Sequence, residues 1–286
     1  MEVSRLVVPV AGFGTRMLPI TKSIPKEMLP IVDKPIIQYV IEEAIAGGIT
    51  DIVLITGYHK RAIEDYFDTS FELEELLKRK KQDAMLEKIK NISKLTNLTF
   101  VRQKDGLGTA KAIASAEHIL QDAPFMVMWG DILADKSRVK LALDAFKKVQ
   151  NPVMCGQLTQ DPDDALNYGY IKGKKQDDGI WSVEGIVEKP GFANRPSDLA
   201  VQNGYVLTPD IFDIMRTLKP NAKGEYCLIE AINILAKQRP TYAVEMHDIN
   251  QYDTGNKLDY MKTVIDYALK DQDIGKDLKT YIRERL

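Results

Sequence analysis

The 286-residue chain holds only two cysteines, Cys155 and Cys227, far apart in sequence. A disulfide framework is excluded, and a reducing, cytoplasmic setting is expected. Three histidines, His59, His118 and His247, are too few and too scattered for a His/Cys zinc centre. Charge of one sign is missing as well: 39 basic residues against 41 acidic ones leave a formal net charge of −2. That balance offers no polycationic surface to nucleic acid and no basic face to a membrane. No apolar run approaches the roughly 18 residues of a spanning helix, and residues 1–10 are too soon interrupted for a secretory signal. Two familiar phosphate motifs are absent too. G-x-G-x-x-G would need glycine at Met17 and a helix where Pro19 stands, and the nearest approach to a P-loop, 169–174, is one residue short and continues into Lys175. A dehydrogenase of the dinucleotide-binding type and a P-loop NTPase are therefore excluded.

What is present is concentrated in residues 3–35. An apolar, mostly β-branched run, 6–10, suits a buried strand. It breaks into Ala11-Gly12-Phe13-Gly14-Thr15-Arg16, where glycine lets the backbone turn and present the N–H groups of Ala11, Gly12 and Gly14 to an anion. Cations follow at Arg16, Lys22 and Lys26, and Pro19, Pro25, Pro30 and Pro35 forbid a long helix between them. A strand delivering cations past a Gly-rich turn is suited to holding phosphates.

The rest reads as an α/β chain. A helical period over 36–45 closes at Gly47-Gly48, 51–56 is a second buried strand and 61–67 a short helix. Residues 71–93 read as one charged, solvated helix. A strand over 98–102 leads through Gln103 and Gly106-Leu107-Gly108-Thr109 into a helix ending at Leu120, and a strand over 125–129 ends in Gly130-Asp131. The β-α-β-α order implies a mostly parallel, Rossmann-like sheet with ligands at its carboxyl edge, where a carboxylate such as Asp131 is placed to hold Mg²⁺. From Asn151 onward, strands over 152–158, 168–171 and 183–187 surround a polar turn, 172–179, and Asn203-Gly204-Tyr205 precedes another strand. The closing helices, 257–286, put Tyr260, Val264, Tyr267 and Ala268 on one face, with core packing as the first expectation. One domain, 1–286, is expected, with a mostly parallel half (1–150) and a smaller antiparallel half (151–286).

Together, G-x-G-T-R at 12–16 and P-K-E-M-L-P at 25–30 resemble the signature of the sugar-1-phosphate nucleotidylyltransferases. The resemblance runs in register along essentially the whole chain, and F-D-T-S-F-E-L-E at 67–74 resembles an insertion typical of the uridylyl-transferring branch. It implies a GT-A-like nucleotidyltransferase fold with a nucleotide-binding half (1–150) and a sugar-phosphate-binding half with the C-terminal helices (151–286), UTP and glucose 1-phosphate as substrates, Mg²⁺ as cofactor, and a homo-oligomer, dimer or tetramer. It also implies roles. Arg16 and Lys26 hold the nucleotide phosphates; Gln103 reads the pyrimidine edge while Gly108 packs under the base. Asp131 and Asp253 bind the metal. Gly169, Glu188 and Asn203 lie against the sugar, and Lys189 neutralises its phosphate. Thr109, where bacterial members often carry histidine, and Tyr226, Cys227 and Glu230 depart from the pattern and leave fine selectivity open. A relative using dTTP or another sugar 1-phosphate and a non-catalytic nucleotide-sugar sensor are the rival readings; the insertion argues against the dTTP branch, and the intact Arg16, Lys26, Asp131, Lys189 and Asp253 against the sensor.

Overall fold

The structure, a computed structural model, describes residues 1–104 and 107–285; Gly106 of the expected turn lies outside them. The apolar runs of the first half form β1 (Arg5–Pro9), β2 (Asp51–Thr56), β3 (Asn97–Arg102) and β4 (Phe125–Val127). All are parallel, in the order β3-β2-β1-β4. β1 shows why the runs are continuous rather than alternating. Leu6 and Val8 point into a core with the helix Ile36–Ala46, and Val7 into the opposite core with Ile113 and Phe125. A parallel strand is buried on both faces.

The second half supplies β5 (Val153–Leu158), β6 (Gly169–Lys175), β7 (Ile180–Glu188), β8 (Leu199–Leu207) and β9 (Tyr242–Glu245). These extend the same sheet rather than building another: the full order is β3-β2-β1-β4-β8-β5-β9-β7-β6. β8 runs antiparallel to both β4 and β5, β7 antiparallel to β9 and β6, and β9 parallel to β5. The parallel expectation thus holds for the strands of residues 1–150, and the antiparallel one for most of the rest.

Several boundaries differ for physical reasons. The segment 71–93 is two helices, Phe71–Arg79 and Asp83–Ile92, reversed at Lys81 with φ 55°. Leu77 is the only fully buried residue of the pair, so a single long helix had no core to lie on. The helix expected to reach Leu120 stops at Ala114, where the Ser115 hydroxyl donates to the Lys111 carbonyl (3.0 Å) and competes with the helical ladder. β6 continues to Lys175, which shortens the polar turn. Asn203 lies inside β8, not ahead of it. At the C-terminus, Tyr260, Val264 and Tyr267 pack on the core and Ala268 is buried, as expected.

One buried cation ties these layers to the functional edge. Asp131 leads into a short ribbon, Ile132–Ala134 paired antiparallel with Gln251–Asp253, so the ribbon brings the two acids to one end. Arg138, wholly buried, donates to both carboxylate oxygens of Glu43 on the helix Ile36–Ala46 (3.1 and 2.6 Å). It also donates to the Gln251 side-chain oxygen and to the Ile132 carbonyl, each at 3.0 Å, one bond to each strand of the ribbon. Arg138→Met leaves Glu43 uncompensated, and the expected loss is about 3–5 kcal/mol, whereas Arg138→Met/Glu43→Leu recovers most of it. Urea unfolding of the single and double variants measures both.

Candidate functional site

The site forms where β1 and β2 end. After β1, the Val10 N–H donates to the Ile55 carbonyl (2.9 Å), and the chain turns through Ala11 to Gly14 across the strand ends. Gly14 sits at φ 65°, a left-handed conformation that favours glycine, with the Thr21 hydroxyl donating to its carbonyl (2.9 Å). The four prolines act as expected: only 3₁₀ turns form, at Thr15–Met17, Ile20–Lys22 and Lys26–Met28. They bring Lys26 back under the loop.

Ala11, Gly12, Lys26, Gln103, Gly108 and Asp131 line one cavity of about 660 Å³. Gly108 is required there by its neighbour. Its φ is 111°, and a Cβ would lie 2.4 Å from the Tyr226 carbonyl oxygen. The turn is fastened to the segment 224–231 at this point: Tyr226 N–H donates to Leu107, Ala110 N–H donates to Tyr226, and Leu228 N–H donates to the Thr109 hydroxyl, each at 2.9 Å. Thr109 thereby satisfies the start of the helix Leu228–Gln238. Gln103 is fixed through its N–H to the Thr56 carbonyl (2.9 Å).

At the deep end of the cavity Lys26 donates to Asp131, itself only 8 % exposed. Burial disfavours the Lys26 ammonium, but Asp131 and Glu27 more than offset this and raise its pKa above the ordinary value. Arg16 lies 3.8 Å from Asp253, whose carboxylate also accepts the Gly255 N–H (2.7 Å). A side chain at Gly255 would meet the Arg16 guanidinium at 2.3 Å. Burial pushes the Asp253 carboxyl up, and the nearby Asp131 adds to that, against the Gly255 N–H, Arg16 and Lys26. Thr254 links the acids by donating its N–H (3.0 Å) and hydroxyl (2.7 Å) to the Asp131 carbonyl.

The other expected residues lie on a second side, outside the lining of that cavity. Gly169 opens β6 directly opposite Glu188 at the end of β7. A Cβ on it would stand 2.9 Å from a Glu188 carboxylate oxygen, so glycine makes room for that carboxylate. Burial raises the Glu188 pKa against the pull of Lys189. Lys189 itself adopts φ 46° and donates its N–H to the Tyr168 carbonyl (3.1 Å). Asn203 is buried. Its amide accepts from Trp129 N–H (2.7 Å) and donates to the Trp129 and Ile132 carbonyls (3.3 and 3.4 Å). Those bonds make it a brace for the segment carrying Asp131.

Sequence reasoning missed a further set of residues. Phe13 stacks on His59 at the cavity wall (4.9 Å between centroids, 6° between planes), and His59 Nε2 is buried with no hydrogen-bond partner among the described residues. Cys227, already noted as a departure from the family's pattern, lines the same cavity. Glu27, next to Lys26, pairs with Lys60 at 2.8 Å, each 1 % exposed. The available signal was position: Tyr58-His59-Lys60 follows β2 at Gly57, the edge where a parallel sheet gathers its ligands.

The chain matches the model of the family described as nucleotidyl transferase over residues 6–269. It is 41 % identical to a UTP–glucose-1-phosphate uridylyltransferase of Staphylococcus epidermidis, over 99 % of this chain and 98 % of that one. It is 42 % identical to a UTP–glucose-1-phosphate uridylyltransferase 2 of Staphylococcus saprophyticus, with the same coverage. Among solved structures it resembles a UDP-glucose pyrophosphorylase complexed with UDP-glucose (TM-score 0.84, 35 % identity, 94 % of this chain and 100 % of that one). It also resembles a UTP-bound UGPase of Acinetobacter baumannii (TM-score 0.91, 33 % identity, 99 % of each chain). The loop, the paired lysine and aspartate, and the closely fitted glycines are thus found in a chain that belongs to the nucleotidyl transferase family, and within it to the UTP–glucose-1-phosphate uridylyltransferases.

Proposed function

We propose that the chain transfers a uridylyl group from UTP to glucose 1-phosphate, giving UDP-glucose and pyrophosphate. The observation that carries this reading is the meeting of Lys26–Asp131 and Arg16–Asp253 beside a cavity walled by Gln103 and Gly108. The attacking group needs no activating base, because a sugar phosphate is largely dianionic near neutrality, its second pKa being about 6. The obstacle is repulsion between two polyanions, roughly 4 kcal/mol for each unit pair at about 4 Å and an effective dielectric of about 20. Cations must offset that repulsion while holding the reacting oxygen in line with the α-phosphorus.

The chain's residues divide the work. Lys26 and Arg16 hold the β- and γ-phosphates and stabilise the departing pyrophosphate, helped by the N–H groups of Ala11, Gly12 and Gly14. Gln103 reads the uracil edge above Gly108. Glu188 accepts from sugar hydroxyls beside Gly169, and Lys189 neutralises the sugar phosphate. Asp131 and Asp253 fit Mg²⁺, a hard cation that takes one or two carboxylates plus phosphate oxygens. Among the described residues no group of three or more His, Cys, Asp or Glu side chains could hold a metal alone, which suits an ion shared with substrate. Bound there, it supplies neutralisation of phosphate charge. The enzyme is further proposed to act in the cytoplasm as a homo-oligomer, dimer or tetramer, each subunit one domain of two halves; no helix of the described residues is long and apolar enough to cross a membrane.

Asp131→Asn keeps the shape and removes the charge, so turnover is expected to fall at least about 10²-fold. Titrating Mg²⁺ against pyrophosphate release checks this, and near-normal turnover at limiting Mg²⁺ would remove Asp131 from the metal site. Lys26→Ala is expected chiefly to impair UTP handling and Lys189→Ala chiefly to raise the glucose 1-phosphate requirement; steady-state kinetics with each substrate varied in turn compare them, and identical profiles contradict the division. For Gln103→Ala the expected loss with UTP is about 1–3 kcal/mol in kcat/KM, with a much smaller loss for ATP. Equal losses for both, with a lower melting temperature, would make Gln103 a support for the loop rather than a reader of the base.

A further inference from the structure

A lysine and a glutamate, both 1 % exposed, pair where Glu27 joins Lys26 in the cavity lining. Lys60 leaves the end of β2, its N–H held by the Gly57 carbonyl (3.2 Å), and its side chain runs inward to place Nζ 2.8 Å from Glu27 Oε2. Glu27 is the residue after Lys26, in the same turn, and its stem packs under Gly130, 3.4 Å from where a Cβ there would sit. On the other side Lys26 donates to Asp131. Four charges therefore alternate in sign from the interior to the cavity: Lys60, Glu27, Lys26, Asp131.

Burying a lysine and a glutamate this completely stabilises a fold poorly, since desolvation takes back much of the attraction. The arrangement has a different use. Glu27 reaches the cavity wall one residue from Lys26, so an unoccupied Glu27 carboxylate would compete with Asp131, and with an incoming phosphate, for the Lys26 ammonium. We propose that Lys60 is a positioning residue for Lys26: by occupying Glu27 it leaves the Lys26 ammonium directed at Asp131 and the nucleotide phosphates. Lys60 touches no substrate in this scheme and acts only through Glu27.

The inference rests on the reading that Lys26 handles the phosphates of UTP, so the test includes the wild type and Lys26→Ala. The variants are Lys60→Met and Lys60→Met/Glu27→Gln, assayed well below each one's melting midpoint, with UTP and glucose 1-phosphate varied separately. With Glu27 released, Lys60→Met is expected to lower kcat/KM for UTP at least about 10²-fold while KM for glucose 1-phosphate stays within about 2-fold. Removing both charges is expected to restore kcat/KM for UTP to within about tenfold of wild type, a non-additive rescue. A merely structural role would instead lower kcat for both substrates alike through loss of active protein. A double variant that is folded yet as poor with UTP as the single one overturns the proposal, as does a Lys60→Met enzyme with normal UTP kinetics. Should Lys60→Met fail to fold, the double variant decides alone: folded and active with UTP supports the proposal, folded and impaired refutes it. Should the wild type release no pyrophosphate, or Lys26→Ala match it, the reading of Lys26 falls instead, and that outcome is distinct.

Discussion

Opposite charges meet in pairs at the carboxyl edge of this sheet, and buried polar residues fix the segments that carry them. Lys26 and Arg16 each face an aspartate, and those aspartates lie at one end of the same ribbon. Without a rigid frame the four groups would be free to exchange partners, and the two cations would not be held at fixed places for a ligand. The frame is Arg138, which grips a helix and both ribbon strands at once, and Asn203, which clamps the segment between β4 and the ribbon. Both are buried polar groups with their donors used, the condition under which a polar network specifies one arrangement.

Much of the site was legible because phosphate chemistry restricts the residues that can do it. Glycines at 12 and 14, a cation at 26 and a carboxylate just past an apolar strand each have few other reasons to occur in that order. The structure brings Lys26 to Asp131 and Arg16 to Asp253 across more than a hundred residues of chain, pairs that only the motif order hinted at. The bracing bonds of Asn203 were not legible in the sequence. An amide serves sugar hydroxyls and backbone groups equally well, and only the register of β8 against β4 decides which it meets. Glu27 and Lys60 left no trace in sequence because charged residues are ordinarily solvated, and nothing in K-E-M or H-K says that both side chains turn inward.

The fold was legible in proportion to how strongly each segment is buried. β2 and the helix Arg61–Phe67 match their expected bounds. The charged segment 71–93 and the polar turn after β6 drifted, since solvated residues carry weak periodicity and a strand edge can continue into polar sequence. The placement of β8 between β4 and β5 could not be read at all. Strand order is set by which edges remain to be covered, a property of the assembled sheet and not of any one segment.

That placement has a consequence for how the protein is made. β8, residues 199–207, covers one edge of β4, residues 125–127, and the facing edge of β5. A chain emerging from the ribosome therefore displays β4, whose side chains are all apolar, with one edge of unpaired N–H and C=O groups until some two hundred residues have been synthesised. Chaperone engagement is expected in this interval, when an uncovered strand edge is most open to pairing with a neighbouring nascent chain.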